Sequence, residues 1–230
     1  MDPVNSGKNK HSSVFSDIAK SMAVVLKSRY FYIGLLTLGL GATLNLVSQT
    51  YLNNNFEHGK SLPMLSDLIL DNVPVLDVSL AYDLFCIVIF VTVFVYIVHR
   101  RAYNRLPYIL LLCGIFYILR SIFIVLTPLG NPPHFNGSDP FFNGFSRYEL
   151  GMYPSGHVGN SFLLLLLVRD RNYKTIMWVW LSIIIVALFL SHGHYSIDIL
   201  SGFLFAYAVR AFGDRYLTMF ELGSSHDGGV

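Results

Sequence analysis

Charge is scarce in this chain: 13% of its 230 residues are Asp, Glu, Lys or Arg, against 53% apolar. A soluble domain carries nearer a quarter charged residues, because its surface must face water. The shortage excludes an ordinary water-soluble fold, and no nucleic-acid partner is expected. Cysteine is almost missing too. Cys86 and Cys113 both fall inside apolar runs, so they indicate neither a structural disulfide nor a redox compartment. A cleavable signal peptide is not expected either. The polar stretch from Met1 to Tyr30 is too long for one, and the apolar run behind it is about twice a normal h-region. No internal repeat or low-complexity tract is present.

What the chain does have is apolar sequence in runs long enough to cross a bilayer. The pattern predicts an all-α, polytopic six-helix membrane bundle, with spans at Tyr30–Tyr51, Leu80–Val98, Leu106–Leu126, Met152–Val168, Thr175–Leu190 and Tyr195–Phe212. The fourth is short in apolar terms, and counts only if the Pro-Ser-Gly-His stretch enters the membrane with it. Sorting the basic residues between alternate loops places 13 of 16 on one side, leaving Lys60 and Arg147 on the other and Arg120 inside a span. The positive-inside rule then puts both termini in the cytoplasm. The expected organisation is a cytoplasmic segment 1–29, a transmembrane catalytic domain 30–213 and a cytoplasmic tail 214–230.

Ahead of the first span, Val14, Ile18, Met22 and Val25 recur at helical spacing, consistent with an interfacial amphipathic helix or with an unstructured tail. Gly34, Gly39 and Gly41 favour close helix contact in span one. The non-cytoplasmic loops Leu52–Ser79 and Gly130–Gly151 are long and irregular, as binding loops often are. The second carries the sequon Asn136-Gly137-Ser138.

Three polar features interrupt or edge the apolar runs, where polar groups are costly and usually functional. The orientation brings them to one face. In Tyr153-Pro154-Ser155-Gly156-His157, Pro and Gly shape a turn ahead of a helix. The backbone N–H groups of Ser155 and Gly156 are then candidates to bind an anion, with His157 in the first turn. The alternative is a Ser-capped helix start beside a bystander histidine. In His194-Tyr195-Ser196-Ile197-Asp198 the His and Asp are four apart, so on a helix the carboxylate meets the imidazole. That contact fixes the tautomer and makes the other ring nitrogen a nucleophile or base. Arg120 lies 14 positions into span three, roughly 21 Å from its cytoplasmic end, where a guanidinium needs a partner. It either binds an anionic ligand bidentately or pairs with Asp83. Two imidazoles, a carboxylate and a guanidinium make a phosphoryl-transfer set that needs no metal or other cofactor.

At these residues the chain resembles the type-2 phosphatidic acid phosphatase superfamily, and is most similar to its sphingomyelin synthase and ceramide phosphoethanolamine synthase branch. Pro154-Ser155-Gly156-His157 matches the Ser-Gly-His motif, and His194-Tyr195-Ser196-Ile197-Asp198 resembles the synthases' His-Tyr-Thr-x-Asp. Tyr117 to Ile122 with Thr127-Pro128-Leu129 resembles their Arg-bearing third-helix motif, and Leu62 to Asp67 their Pro-Leu-Pro-Asp. The resemblance implies His194 as nucleophile, Asp198 as its orienting carboxylate and His157 as general acid and base. It also implies a phospholipid donor and a ceramide or diacylglycerol acceptor, with water replacing the acceptor in a phosphatase. Cys113 and Ser121 stand where the phosphatases carry the Lys and Pro of their Arg motif, and Ala187-Leu188 where they carry Ser-Arg. Those departures favour the synthase branch. Pro154 is phosphatase-like, and Glu149-Leu150-Gly151 replaces the synthases' Cys-Gly-Asp, making Glu149 an accessory candidate beside Asp83.

Other classes fit less well. A metal-dependent membrane enzyme would use His157, His192, His194 and Asp198, but the histidines do not form the several boxes of a di-iron site. A transporter would need polar residues along a path across the membrane and matched broken helices, and neither pattern appears.

Overall fold

The computed structural model describes residues 18, 20–56, 62–135 and 150–222, which form helices and loops and no strand. Six helices carry the fold: α1 (Arg29–Phe56), α2 (Ser79–His99), α3 (Leu106–Leu126), α4 (Gly156–Leu167), α5 (Arg171–Leu190) and α6 (Ser196–Tyr216). All except α4 are long and apolar enough to cross a membrane, five in number. The expected fourth span, Met152–Val168, is helical over only part of its length. Met152–Ser155 is not helical, and α4 has 12 residues. At 1.5 Å per residue that is about 18 Å, well short of a bilayer core of about 30 Å.

Local sequence sets the helix ends. Pro107 occupies the first turn of α3, where its missing N–H costs nothing. Asp170 caps α5 by accepting from the N–H groups of Asn172 and Tyr173. In α1 the buried residues Gly34, Gly41, Ser48 and Leu52 form one narrow seam. A Cβ on Gly34 would stand 2.6 Å from the Pro107 carbonyl oxygen, and one on Gly41 2.5 Å from that of Gly114. The two helices therefore touch backbone to backbone along α3, as small residues permit in membranes. Gly39 faces open space and takes no part.

Helix directions alternate. One end of the bundle gathers the starts of α2, α4 and α6 with the end of α3, since His157 meets Asp83 and His194 while Arg120 reaches Pro154. At the opposite end Arg105 donates to the Leu167 carbonyl at 2.6 Å and to Glu221, and Tyr30 meets Phe220 edge-on at 4.9 Å. From Arg29 on, the described lysines and arginines other than Arg120 lie at or within two turns of the helix ends gathered here. Residues 20–27 are helical, and Ile18, Met22 and Val25 pack onto the core, so this part of the expected amphipathic segment is a packed helix, while Val14 lies outside the described residues. The expected boundary at 213 falls inside α6. Glu221, bound by Arg105 and Arg169, ties residues beyond that helix back to the bundle.

Candidate active site

The site is built where three helix starts converge. Tyr195 caps α6, and Asp198 in its first turn returns a carboxylate Oδ2 to the Tyr195 N–H at 3.1 Å, as the acid of a capping box does. The same oxygen stands 3.2 Å from His194 Nδ1. His194 therefore precedes α6 and does not share a helical face with Asp198. The expected contact forms, but capping geometry makes it. With Nδ1–H directed at the carboxylate, the Nε2 lone pair points away from Asp198. His194 and Asp198 are both buried. Burial pushes the His194 imidazole below its ordinary value, and Asp198 opposes that only in part.

His157 is the second residue of α4, behind the cap Ser155, whose Oγ accepts from the Val158 N–H at 3.3 Å. Its Nδ1 faces His194 Nε2 at 3.5 Å, and its Nε2 lies 3.2 Å from Asp83 Oδ1 on α2. Tyr82 packs edge-on against the ring at 5.1 Å. The four residues make one continuous chain, Asp83–His157–His194–Asp198. When each imidazole gives its N–H to its own carboxylate, the two facing nitrogens both present lone pairs. A single shared proton turns that repulsion into a hydrogen bond, so the chain has one natural proton-storage position between the rings.

Arg120 is buried and makes a different set of contacts from those expected. Nε donates to the Pro154 carbonyl and Nη2 to that of Gly151, both at 2.9 Å, while Nη1 donates to Asn45 Oδ1 on α1. Asp83 is engaged with His157, so the alternative Arg120–Asp83 pair is not what satisfies the guanidinium. Instead its Nε/Nη2 fork clamps the segment leading into α4. Its group also lies against Gly156, where a Cβ would meet Arg120 Nε at 3.1 Å. Three of the five guanidinium N–H groups are thus engaged by the chain itself.

The anion-binding expectation for Ser155 needs a correction. Its N–H donates to the Asp198 carbonyl at 3.0 Å, which locks α4 to α6 but leaves that donor unavailable to a ligand. The first-turn N–H groups of Gly156 and His157 have no intrahelical acceptor and remain the backbone donors of the site. Glu149 and the sequon at Asn136 lie outside the described residues.

Three further residues support the site, and of these only Asn45 went unremarked in the sequence. Asn45, which accepts from Arg120 and donates to Gln49 Oε1 at 3.3 Å, was signalled only as a polar residue inside an apolar span. Asp67 accepts from the Ser196 N–H at 2.6 Å and from its hydroxyl at 2.7 Å, so a loop carboxylate caps the helix that follows His194. These bonds and those from Ile69 and Leu70 outweigh the burial that would raise the Asp67 carboxyl, and hold it below the usual carboxylate range. His192 lies outside the chain of four. Its ring nitrogens face the carbonyls of Pro133 at 3.0 Å and Val73 at 3.3 Å, joining two loops to the turn that bears His194.

Among the described residues no group of three or more His, Cys, Asp or Glu is arranged to hold a metal ion. Compared with known proteins, the chain matches no family model, and a search of curated proteins likewise finds no match.

Proposed function

We propose that the protein is an integral-membrane lipid phosphotransferase, moving a phosphoalcohol headgroup from a glycerophospholipid to ceramide or diacylglycerol through a phosphohistidine on His194. The observation that carries the reading is the continuous Asp83–His157–His194–Asp198 chain, buried at both ends and open only at His157. The resemblance of its motifs to the sphingomyelin synthase branch supports the same chemistry.

The neutral His194, oriented by Asp198, attacks phosphorus with its Nε2. The bond from phosphorus to the diacylglycerol oxygen breaks, and His157 Nδ1 delivers a proton to that oxygen. In the second half the acceptor hydroxyl gives its proton to His157 Nδ1, its oxygen attacks phosphorus, and the P–N bond breaks. Asp83 steadies the imidazolium that His157 becomes. An in-line displacement needs about 3 Å from nucleophile to phosphorus and a further hydrogen-bond length beyond the leaving oxygen, roughly 6 Å or more between the two nitrogens. The 3.5 Å contact is therefore a resting arrangement, and phosphorus enters only as the rings part. His157 is the ring free to move, with 28% of its side chain exposed against 3% for His194. Arg120 holds the Gly151–Ser155 segment, and its remaining N–H groups with those of Gly156 and His157 bind the equatorial oxygens.

In the membrane the chain passes six times, α4 crossing together with the extended segment before it, and both termini lie in the cytoplasm. The site then faces the non-cytoplasmic side, and donor and acceptor lipids come from that leaflet. Exposure at His157 also gives water a route, which favours one second reading, a lipid phosphatase with the same residues. Labelled phosphatidylcholine or phosphatidylethanolamine supplied with and without ceramide tests the proposal. Label in a new lipid that requires ceramide supports transfer, label only in a soluble phosphate supports hydrolysis, and no product from either donor refutes both.

A further inference from the structure

The loop between α1 and α2 has the wrong surface for a loop in water. Met64, Leu65, Leu68, Ile69, Val75 and Leu76 are all exposed, Leu68 at 83% and Met64 at 67%. A patch of that kind on a protein marks an interaction surface. Its exposure does not come from a loosely attached chain. Leu65 N–H donates to the Tyr195 phenol oxygen at 3.1 Å, Asp67 holds Ser196, Gly130 N–H donates to the Pro63 carbonyl at 3.0 Å, and Leu76 N–H to that of Leu190 at 2.7 Å. The loop's polar backbone is turned inward onto the bundle, and its apolar side chains are turned out.

Those side chains continue a surface whose partner is the bilayer. On α6, Ile197, Leu200, Leu204 and Tyr207 form an exposed stripe at spacings of three and four along a membrane-spanning candidate. Leu65, Asp67 and Leu68 join Tyr195, Ser196 and Leu200 in lining one groove of about 520 Å³, so the loop and the top of the stripe meet. Asp67, the loop's charge nearest the groove, has its carboxylate hydrogen-bonded by Ser196 and by the N–H groups of Ile69 and Leu70, which offsets part of the cost of holding it at a lipid interface.

We propose that the exposed apolar side chains of residues 64–76 enter the leaflet at the site-bearing end of the bundle, with Leu68 and its neighbours among lipid acyl chains and the exposed Asp71 at the headgroups. The loop is an interfacial shelf that extends the lipid-facing surface past the end of α6. Because Asp67 grips Ser196, two residues after His194, the shelf fixes that leaflet directly beside the nucleophile. This last consequence rests on the chemistry proposed above; the shelf itself rests only on the fold.

Site-directed spin labelling in phosphatidylcholine vesicles tests it without any turnover. A nitroxide on Leu68→Cys, in a background of Cys86→Ser and Cys113→Ala, is compared with one on Leu204→Cys by power saturation with oxygen and with a water-soluble nickel chelate. The shelf predicts that oxygen relaxes both labels more than nickel does. Stronger relaxation of position 68 by nickel places the loop in water and overturns the inference. Protection from both reagents with an immobilised spectrum means that protein covers the patch, and overturns it equally. If the cysteine-free background fails to fold, Leu68→Trp in the native-cysteine protein with bromine-labelled phosphatidylcholine replaces it. Quenching beyond the Trp178 and Trp180 background is expected, and its absence is contrary. Failure of the lipid-transfer assay leaves this result standing, and the converse also holds.

Discussion

Replacing Arg120 by lysine keeps the charge and removes the fork, and its consequence follows from three bonds. The guanidinium donates to the carbonyls of Pro154 and Gly151, both at 2.9 Å, and to Asn45. One ammonium cannot reach acceptors on α1 and at two points of the segment before α4, so about two of the three bonds are lost. Hydrogen bonds to charged groups contribute about 1.5–3 kcal/mol each. The variant should therefore lose on the order of 3–5 kcal/mol, or roughly 10 °C in apparent melting temperature for a bundle of this size. The segment released carries His157, and a displacement of about 1 Å at a reacting group costs on the order of 10²-fold in rate. Thermal unfolding in detergent, followed by tryptophan fluorescence, reads the first effect, and lipid transfer below the melting transition reads the second. A variant that melts within about 1 °C of wild type and turns over normally would show that the fork does not hold this segment.

Other variants separate the roles. His194→Ala should abolish turnover while the protein stays folded, and near-normal activity would remove it as nucleophile. Asp198→Asn should lower turnover by on the order of 10³-fold by releasing the imidazole's tautomer. The same variant should cost about 1 kcal/mol of stability, since the lost oxygen also caps α6; unchanged turnover would show that the imidazole needs no orientation. The pH profile carries its own sign. Burial lowers the His194 pKa, so its neutral imidazole persists below pH 6.5, where a free imidazole is already more than half protonated. The acid limb of kcat/KM should lie below that value, and stability linked to this ring should be present above it and lost as pH falls further. An acid limb above 6.5 would contradict the buried assignment.

Much of the site was legible because its chemistry is local in sequence. His194 and Asp198 are close along the chain, and Ser155 to His157 are contiguous, so patterns of a few residues bring out the groups. Apolar runs likewise marked the long helices. What could not be read was contact across the bundle. Asp83 meets His157 only because α2 and α4 start at the same end, and Asn45 reaches Arg120 only because glycine lets α1 and α3 touch. The shortness of α4 already showed in its brief apolar run, and only its start was misplaced, because Pro154 and the Ser155 cap delay the helix to Gly156. The i, i+4 spacing of His194 and Asp198 was right for the wrong geometry, since a helix cap and a helical face both bring residues so spaced into contact.

The covalent step is the most direct test of the account. Wild-type protein mixed briefly with a phospholipid labelled in its headgroup phosphate, quenched in alkali and digested, should carry acid-labile label on the peptide containing His194. His194→Ala should carry none, and His157→Ala should carry little, because its leaving oxygen goes unprotonated. Label on any other residue, or lipid transfer at full rate with no labelled protein in the rapid quench, would contradict a phosphohistidine at His194.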